Sequence, residues 1–220
     1  MEKQKYAAIV LAAGSGKRMN SQVHKQYLII QDRPVLYYSL KEFEDSAVDE
    51  IVLVVGKGEE KFCRKEIVDK YGISKVKAIV EGGKERYHSV FEGLKQTSDA
   101  DYVLIHDGAR PFVNQDIIRR CMQEVQKYQA CVVGMPVKDT IKIADEEGYA
   151  KQTPDRRNVW MIQTPQTFSY ALIYEAYEEM LKTEDTAITD DAMVLERIKG
   201  KKSKLIEGSY RNIKITTPED

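Results

Sequence analysis

A chain of 220 residues in which 34 basic and 35 acidic side chains nearly cancel projects no global field, which excludes a body built to hold nucleic acid or an anionic membrane surface. Its 42% hydrophobic and 31% charged residues exclude a disordered segment. The length suits a single α/β domain over 1–220, able to bury roughly 70% of the surface its unfolded chain exposes without disulfide staples. Cys63, Cys121 and Cys131 form no C-x-x-C pair and are odd in number, the pattern of buried thiols in a reducing compartment.

The opening residues lead straight into an apolar run too short for a signal h-region or a membrane span, so the chain reads as cytoplasmic with no membrane partner. Nearly continuous apolar runs of strand length follow at Ala7–Leu11, Ile51–Val55, Val76–Val80, Tyr102–His106 and Cys131–Pro136. Such runs belong to strands buried on both faces of a parallel sheet. Between the last two, Ile117, Ile118, Cys121, Met122 and Val125 follow helical spacing over Asp116–Lys127, with Asn114 as N-cap. The segment from Lys138 to Arg157 breaks the rhythm: it is polar, turns at Glu147-Gly148 and lies between the strand-like runs Thr140–Ile143 and Asn158–Met161. It reads as a projecting β-hairpin arm, with a surface loop as the alternative. Further helices are expected over Tyr170–Leu181, with Leu172, Ala176 and Met180 on one stripe, and from a Thr189-Asp190-Asp191 cap to Ile198. The strand–helix alternation predicts a doubly wound, mostly parallel α/β sheet, Rossmann-like, carrying that arm.

Several polar constellations sit where these strands end. After the first strand comes Ala12-Ala13-Gly14-Ser15-Gly16-Lys17-Arg18-Met19, with Lys25 seven residues beyond Arg18. Small residues at a strand's carboxyl end let backbone N–H groups approach phosphate oxygens. No Gly-Lys-Ser/Thr ends the loop, so it is not a Walker A motif. Met19 replaces the third glycine of a dinucleotide fingerprint, and Val54-Val55-Gly56 carries no acid for a ribose. Gly82-Gly83-Lys84-Glu85-Arg86-Tyr87-His88-Ser89 follows the third strand and reads equally as a ligand-facing turn or as a plain strand–helix turn. In His106-Asp107-Gly108-Ala109-Arg110-Pro111, Asp107 stands at the rim where open α/β sheets bind ligands, a position suited to Mg²⁺. Arg110 there is placed to grip an anion or to pair with Asp107. The clusters at Asp139–Lys142, Arg156-Arg157, Gln163–Gln166, Thr189–Asp191 and Asn212–Thr216 read individually as caps, turns and solvated charge. His24, His88 and His106 lack zinc-site spacing, and no nucleophile elbow is visible.

Taken in order over essentially the whole chain, these segments resemble the 2-C-methyl-D-erythritol 4-phosphate cytidylyltransferases. The resemblance implies transfer of CMP from CTP to that polyol phosphate, with release of pyrophosphate. It implies that Ala13, Gly14, Ser15, Gly16 and Arg18 line a triphosphate loop with Lys25 beside the α-phosphate. Gly83, Arg86 and Ser89 would shape the cytosine and ribose pocket, and Asp107 would hold Mg²⁺. A homodimer joined through the 138–157 arm is implied too, with Arg110, Thr140, Arg156, Thr164, Thr189 and Lys214 around the polyol phosphate, some across the interface. Counting back from Trp160 selects Arg156 over its neighbour Arg157. Catalysis would rest on Arg18, Lys25 and Lys214. The resemblance also implies a further helix after Pro218-Glu219-Asp220, where the sequence stops. Ribitol-5-phosphate cytidylyltransferase is the nearest alternative, and Ala109 and Lys142 speak for methylerythritol. A non-catalytic nucleotide-binding regulator is the alternative from another class; the missing ribose acid argues against a nicotinamide oxidoreductase.

Overall fold

The computed structural model describes residues 3–14, 24–183 and 187–220. The first apolar run forms β1 (Tyr6–Ala12), whose side chains are buried on both faces of the sheet. A small antiparallel hairpin, β2 (Ile29–Ile30) and β3 (Arg33–Pro34), turns through Gln31 and Asp32, both at positive φ. Then come α1 (Val35–Glu44), β4 (Glu50–Val55), α2 (Glu60–Cys63) running on into a π-helical turn, and β5 (Val76–Glu81). The next units are α3 (Arg86–Leu94), β6 (Tyr102–Asp107), α4 (Gln115–Tyr128) and β7 (Ala130–Pro136). Asn114 caps α4 as its sequence predicts, its side chain accepting the Ile117 N–H at 3.0 Å.

The arm is a hairpin: β8 (Ile143–Ala144) pairs antiparallel with β9 (Ala150–Gln152). Asp145 closes its turn by accepting the N–H groups of Glu147 and Tyr149, and Gly148 supplies the left-handed φ of +88°. After the arm the chain enters β10 (Trp160–Ser169), then α5 (Tyr170–Met180), α6 (Asp191–Lys199) and β11 (Lys204–Glu207). The run Asn158–Met161, expected as the arm's second flank, thus becomes the start of a ten-residue strand of the main sheet. The pairing expected at Thr140–Ile143 begins only at Ile143.

The seven-stranded sheet has the order β11-β7-β10-β6-β1-β4-β5. β10 is antiparallel to both its neighbours, and the remaining recorded pairings are parallel. From β1 the chain winds outward through β4 and β5, then returns to lay β6 on the other side of β1. That reversal makes the carboxyl ends of β1 and β6 the topological switch point, where open α/β sheets leave a crevice. Alternating side chains feed two cores. Ala8, Val10 and Leu104 pack toward α1 and α4, while Ala7, Ile9 and Ile105 pack toward α3, α5 and α6. Each fully buried aliphatic side chain contributes about 1.5–3 kcal/mol, so these layers, not the polar arm, hold the crevice rigid. Among the described residues no helix is long and apolar enough to cross a membrane.

Candidate active site

Asp107 ends β6 in register with Leu11 of β1, and the Gly108 N–H continues the ladder to the Leu11 carbonyl at 2.8 Å. Two clefts open over this edge. One, of about 510 Å³, is lined by Ala13, Gly14, Lys25, Gly83, Ser89 and Ala109. The other, of about 300 Å³, is lined by Arg110, Thr164, Thr189 and Asp190. Arg86, Asp107 and Lys214 line both and form the ridge between them.

The ridge is an electrostatic knot. Lys214 Nζ lies 2.7 Å from Asp107 Oδ2, Arg86 Nε 3.4 Å from Oδ1, and Arg110 Nε 3.9 Å from Oδ2. Burial alone would push the Asp107 carboxyl up, but Arg86 and Lys214 outweigh it and hold the group well below the usual carboxylate range. Behind it lies fully buried His106. Its Nε2 sits 3.2 Å from the Arg110 carbonyl and its Nδ1 2.9 Å from the Thr164 hydroxyl, which accepts the Asp107 N–H at 3.1 Å. One assignment satisfies all three contacts: Nε2 carries the proton and Nδ1 accepts from Thr164. Burial brings the His106 pKa down to about 4, consistent with that neutral ring. Thr164 reaches it because β10 shifts register between Ile162 and Gln166, an irregularity of the kind that re-aims side chains beside active sites.

Lys25 is presented by its neighbours. It opens a single 3-10 turn, Lys25–Tyr27. The buried Gln26 donates to the Ala12 carbonyl at 2.6 Å. Glu59 accepts the Tyr27 hydroxyl at 2.7 Å and the Gly56 N–H at 3.0 Å, and its Oε1 lies 2.8 Å from His24 Nδ1. Burial, Cys63 and Glu59 together push the Tyr27 phenol up, which keeps it a donor. Lys214 is pinned on both sides as well. The Ile215 N–H donates to the Ala109 carbonyl, and the buried Asn212 side chain donates to the Thr164 carbonyl at 2.9 Å.

The Gly82-Gly83 pair serves the chain itself. A Cβ on Gly82 would fall 2.5 Å from that of Ala13 and 2.6 Å from Ser89 Oγ, and one on Gly83 would fall 2.3 Å from that of His88. The glycines therefore let the start of α3 close against the β1 loop, and Ser89 Oγ accepts the Gly83 N–H at 3.1 Å. Arg86, at the first turn of α3, reaches across the ridge to the buried Asp191.

The structure thus gathers Ala13, Gly14, Lys25, Gly83, Arg86, Ser89, Asp107 and Lys214 at one cleft, and Arg110, Thr164 and Thr189 at the other. Arg110 is less available than its sequence position suggests, since it donates to the Asn212 carbonyl at 2.8 Å and the Ile162 carbonyl at 3.4 Å. Ser15, Gly16 and Arg18 lie outside the described residues. Thr140 and Arg156 line neither cleft; both are exposed at the base of the arm. Arg157 is bound to Asp155, whereas Arg156 makes one bond to the Lys138 carbonyl, so the less committed guanidinium is the one selected from sequence. Lys142 bonds Thr153 across the arm. Glu59, His106, Gln166, Tyr177 and Asp191 shape the site without having been assigned a part in it. Their signal in the sequence was polarity at positions that the fold buries.

Among the described residues no three His, Cys, Asp or Glu side chains converge on a metal position. One carboxylate between two clefts is no closed protein cage; it would suit a Mg²⁺ ion that binds together with substrate phosphates.

Residues 6–220 match the family model of 2-C-methyl-D-erythritol 4-phosphate cytidylyltransferase, IspD. The chain belongs to this family. Proteins so named from Lachnoclostridium phytofermentans and Lachnospira eligens are 51% and 54% identical to it, over 99% and 97% of this chain and 93% and 94% of theirs. The crystal structure of 4-diphosphocytidyl-2C-methyl-D-erythritol synthase from Anaerococcus prevotii superposes with a TM-score of 0.86 at 38% identity, covering 99% of this chain and 92% of that one. The enzyme from Francisella tularensis gives 0.81 at 27% identity, over 99% and 96%. Cytidylyltransferases of this family are nucleotidyltransferases, and the doubly wound sheet expected from the sequence is the fold shared with these structures.

Proposed function

We propose that the chain transfers the cytidylyl group of CTP to 2-C-methyl-D-erythritol 4-phosphate, releasing pyrophosphate, and that the reaction takes place over the Arg86–Asp107–Lys214 ridge. The observation that carries this is the pair of adjoining clefts with one charged wall in common. A nucleotide in the larger cleft and an acceptor phosphate in the smaller would meet over that wall.

The chemistry asks for charge control before proton transfer. A phosphomonoester carries about −1.5 to −2 at neutral pH and needs no general base to attack the α-phosphorus in line. It must instead be brought against a polyphosphate, and the charge developing on the phosphoryl oxygens must be met by fixed donors. Lys25, Arg86 and Lys214 supply cations at the larger cleft, with Gly14 at the mouth of the phosphate loop. Arg18 joins them on the resemblance alone. Ser89 and Gly83 face the nucleoside end, and Thr164, Thr189 and Arg110 face the acceptor. Asp107 is the residue that would hold Mg²⁺, which when bound neutralises phosphate charge. Asp107 is paired with Lys214 and Arg86, so nucleotide and metal would enter by redistributing this ion pairing.

The working unit is proposed to be a homodimer in the cytoplasm. The arm carries Ile143 and Tyr149 largely exposed, and Met161 and Ile162 at its foot are exposed too, an apolar strip suited to a second copy. A partner's arm would bring Thr140 and Arg156 to the acceptor cleft. The three buried free thiols suit a reducing compartment. Pyrophosphate release with CTP and Mg²⁺ tests the reading, with methylerythritol 4-phosphate and ribitol 5-phosphate as separate acceptors. Turnover with the first alone is expected. Turnover with ribitol 5-phosphate alone would overturn the substrate, and none with either would overturn the activity.

A further inference from the structure

Arg86 is the first residue of α3, which walls the nucleotide cleft, and Asp191 is the first residue of α6, which follows the acceptor-side Thr189 and Asp190. A two-toothed fork joins them: Arg86 Nη1 donates to Asp191 Oδ1 at 2.7 Å, and Nη2 to Oδ2 at 2.8 Å. Asp191 is fully buried and lines neither cleft. Its Oδ1 also accepts the hydroxyl of Tyr177, itself fully buried in α5, at 2.6 Å. Gln166 Oε1 accepts the N–H groups of Asp191 and Ala192, both at 3.0 Å, and fastens the first turn of α6 to β10. The carboxylate is thus held by the guanidinium in front and the phenol behind, on a backbone that is itself tied down.

A buried ion pair is weak evidence for stability, because the cost of removing two charges from water offsets their attraction. An apolar contact would join α3 to α6 as firmly. An apolar contact would not orient a guanidinium, and a planar fork does. With both Nη atoms engaged, the remaining Nε–H of Arg86 is directed at Asp107, 3.4 Å from Oδ1. Asp191 and Asp107 together keep the Arg86 charge in place against burial.

We infer that Asp191 is a positioning residue: its carboxylate fixes the Arg86 guanidinium against Asp107 and thereby sets how closely the nucleotide and the acceptor phosphate meet. The inference rests on the cytidylyltransferase reading of the ridge. It acts on approach geometry and not on nucleotide affinity, so it has a kinetic signature. Displacing reacting groups by about 1 Å costs on the order of 10²-fold in rate. The kcat of Asp191→Asn, counted per folded molecule, is expected to fall about 10- to 100-fold, while the dissociation constant for CTP stays within about twofold. Tyr177→Phe leaves the fork and removes one bond behind it; a several-fold fall in kcat is expected, again without change in CTP binding.

The full chain of each variant is to be assayed for pyrophosphate release, titrated with CTP by calorimetry and melted. Arg86 Nε–H is to be followed by ¹⁵N NMR, its signal assigned by its loss in Arg86→Lys. In the wild type that proton is expected to exchange slowly, and in Asp191→Asn rapidly. Wild-type kcat per folded molecule in both Asp191→Asn and Tyr177→Phe, with only the melting temperature lowered, would overturn the inference. So would an unchanged Arg86 signal in Asp191→Asn. Should Asp191→Asn not fold, Tyr177→Phe decides alone: a several-fold fall in kcat per folded molecule with faster exchange of the Arg86 Nε–H is expected, and wild-type values of both would overturn the inference. Wild-type protein inactive with every acceptor would sink the functional reading instead, and the Arg86 signal would still decide whether Asp191 orients the guanidinium.

Discussion

At the scale of single residues, the ridge gives two side chains opposite expectations. Lys214 contributes a cation 2.7 Å from Asp107 and is one-third exposed, so little of the fold depends on its head group. Lys214→Ala is expected to lower kcat by about 10²–10³, the usual cost of one preorganised donor to developing charge, with a melting temperature within a few degrees of wild type. Near-full turnover would remove Lys214 from the mechanism. His106 works through stability. Its folded pKa lies near 4 against an ordinary 6.5, so the unfolded chain takes up a proton in that interval and the native chain does not. Stability attributable to it is therefore complete above pH 6.5 and lost as pH falls toward 4, by about 3 kcal/mol in all. Chemical denaturation across this range should show the slope in wild type and a shallower one in His106→Gln; parallel curves would refute the neutral buried ring. Of these residues, Asp107 was legible in the sequence because it stands at a strand end, and Lys214 only through the family resemblance, since its own cluster reads as turns and solvated charge. His106 was visible as a strand end and as a failed zinc ligand but not as a support of the site, since nothing local announces that a hydroxyl 58 residues away will meet its Nδ1.

At the scale of elements, the site depends on short segments held from outside. The Lys25 turn has three residues and cannot hold itself. Gln26 ties it to β1, and Glu59, just past the end of β4, ties Tyr27 and lies against His24. Glu59→Ala is expected to let Lys25 wander, lowering kcat about tenfold or more. It should also cost a few degrees of melting temperature through its lost charge-assisted bonds. Glu59→Gln keeps acceptors for Tyr27 and Gly56 and should recover most of the rate. If both variants turn over like wild type, the turn is held some other way. Four of the five strands were readable as buried because unbroken apolar runs need two covered faces, and α4 because Asn114 and a clean helical stripe agree; β5, expected to be buried on both faces, is instead an edge strand in which only Val76 is buried. β10 was not. Its first residues Trp160, Met161 and Ile162 are partly or largely exposed, and a register shift divides them from the buried Gln166–Phe168. β11 buries only Ile206, too little apolar signal to distinguish an edge strand from a loop.

At the scale of the whole molecule, one chain does not gather all that the family resemblance assigns to the site. Thr140 and Arg156 stand exposed at the base of the arm and touch neither cleft, although eleven other assigned residues from segments far apart in the chain converge there. If the proposed dimer supplies them in trans, each active site is a composite of two chains, and this can be tested by mixing. Homodimers of Arg156→Ala would lack the arm's guanidinium at both sites, and homodimers of Lys214→Ala would lack the ridge cation at both. In a mixed dimer, one site collects both defects and the other collects neither, because the Lys214 of one chain faces the Arg156 of the other. Random exchange of subunits makes half the dimers mixed and about a quarter of all sites intact, so turnover should recover to about a quarter of wild type. Sedimentation should show the dimer in every sample, and recovery should track subunit exchange in time. Activity equal to the mean of the two parent variants, in a sample where exchange is demonstrated, would place Arg156 at its own chain's site or at none.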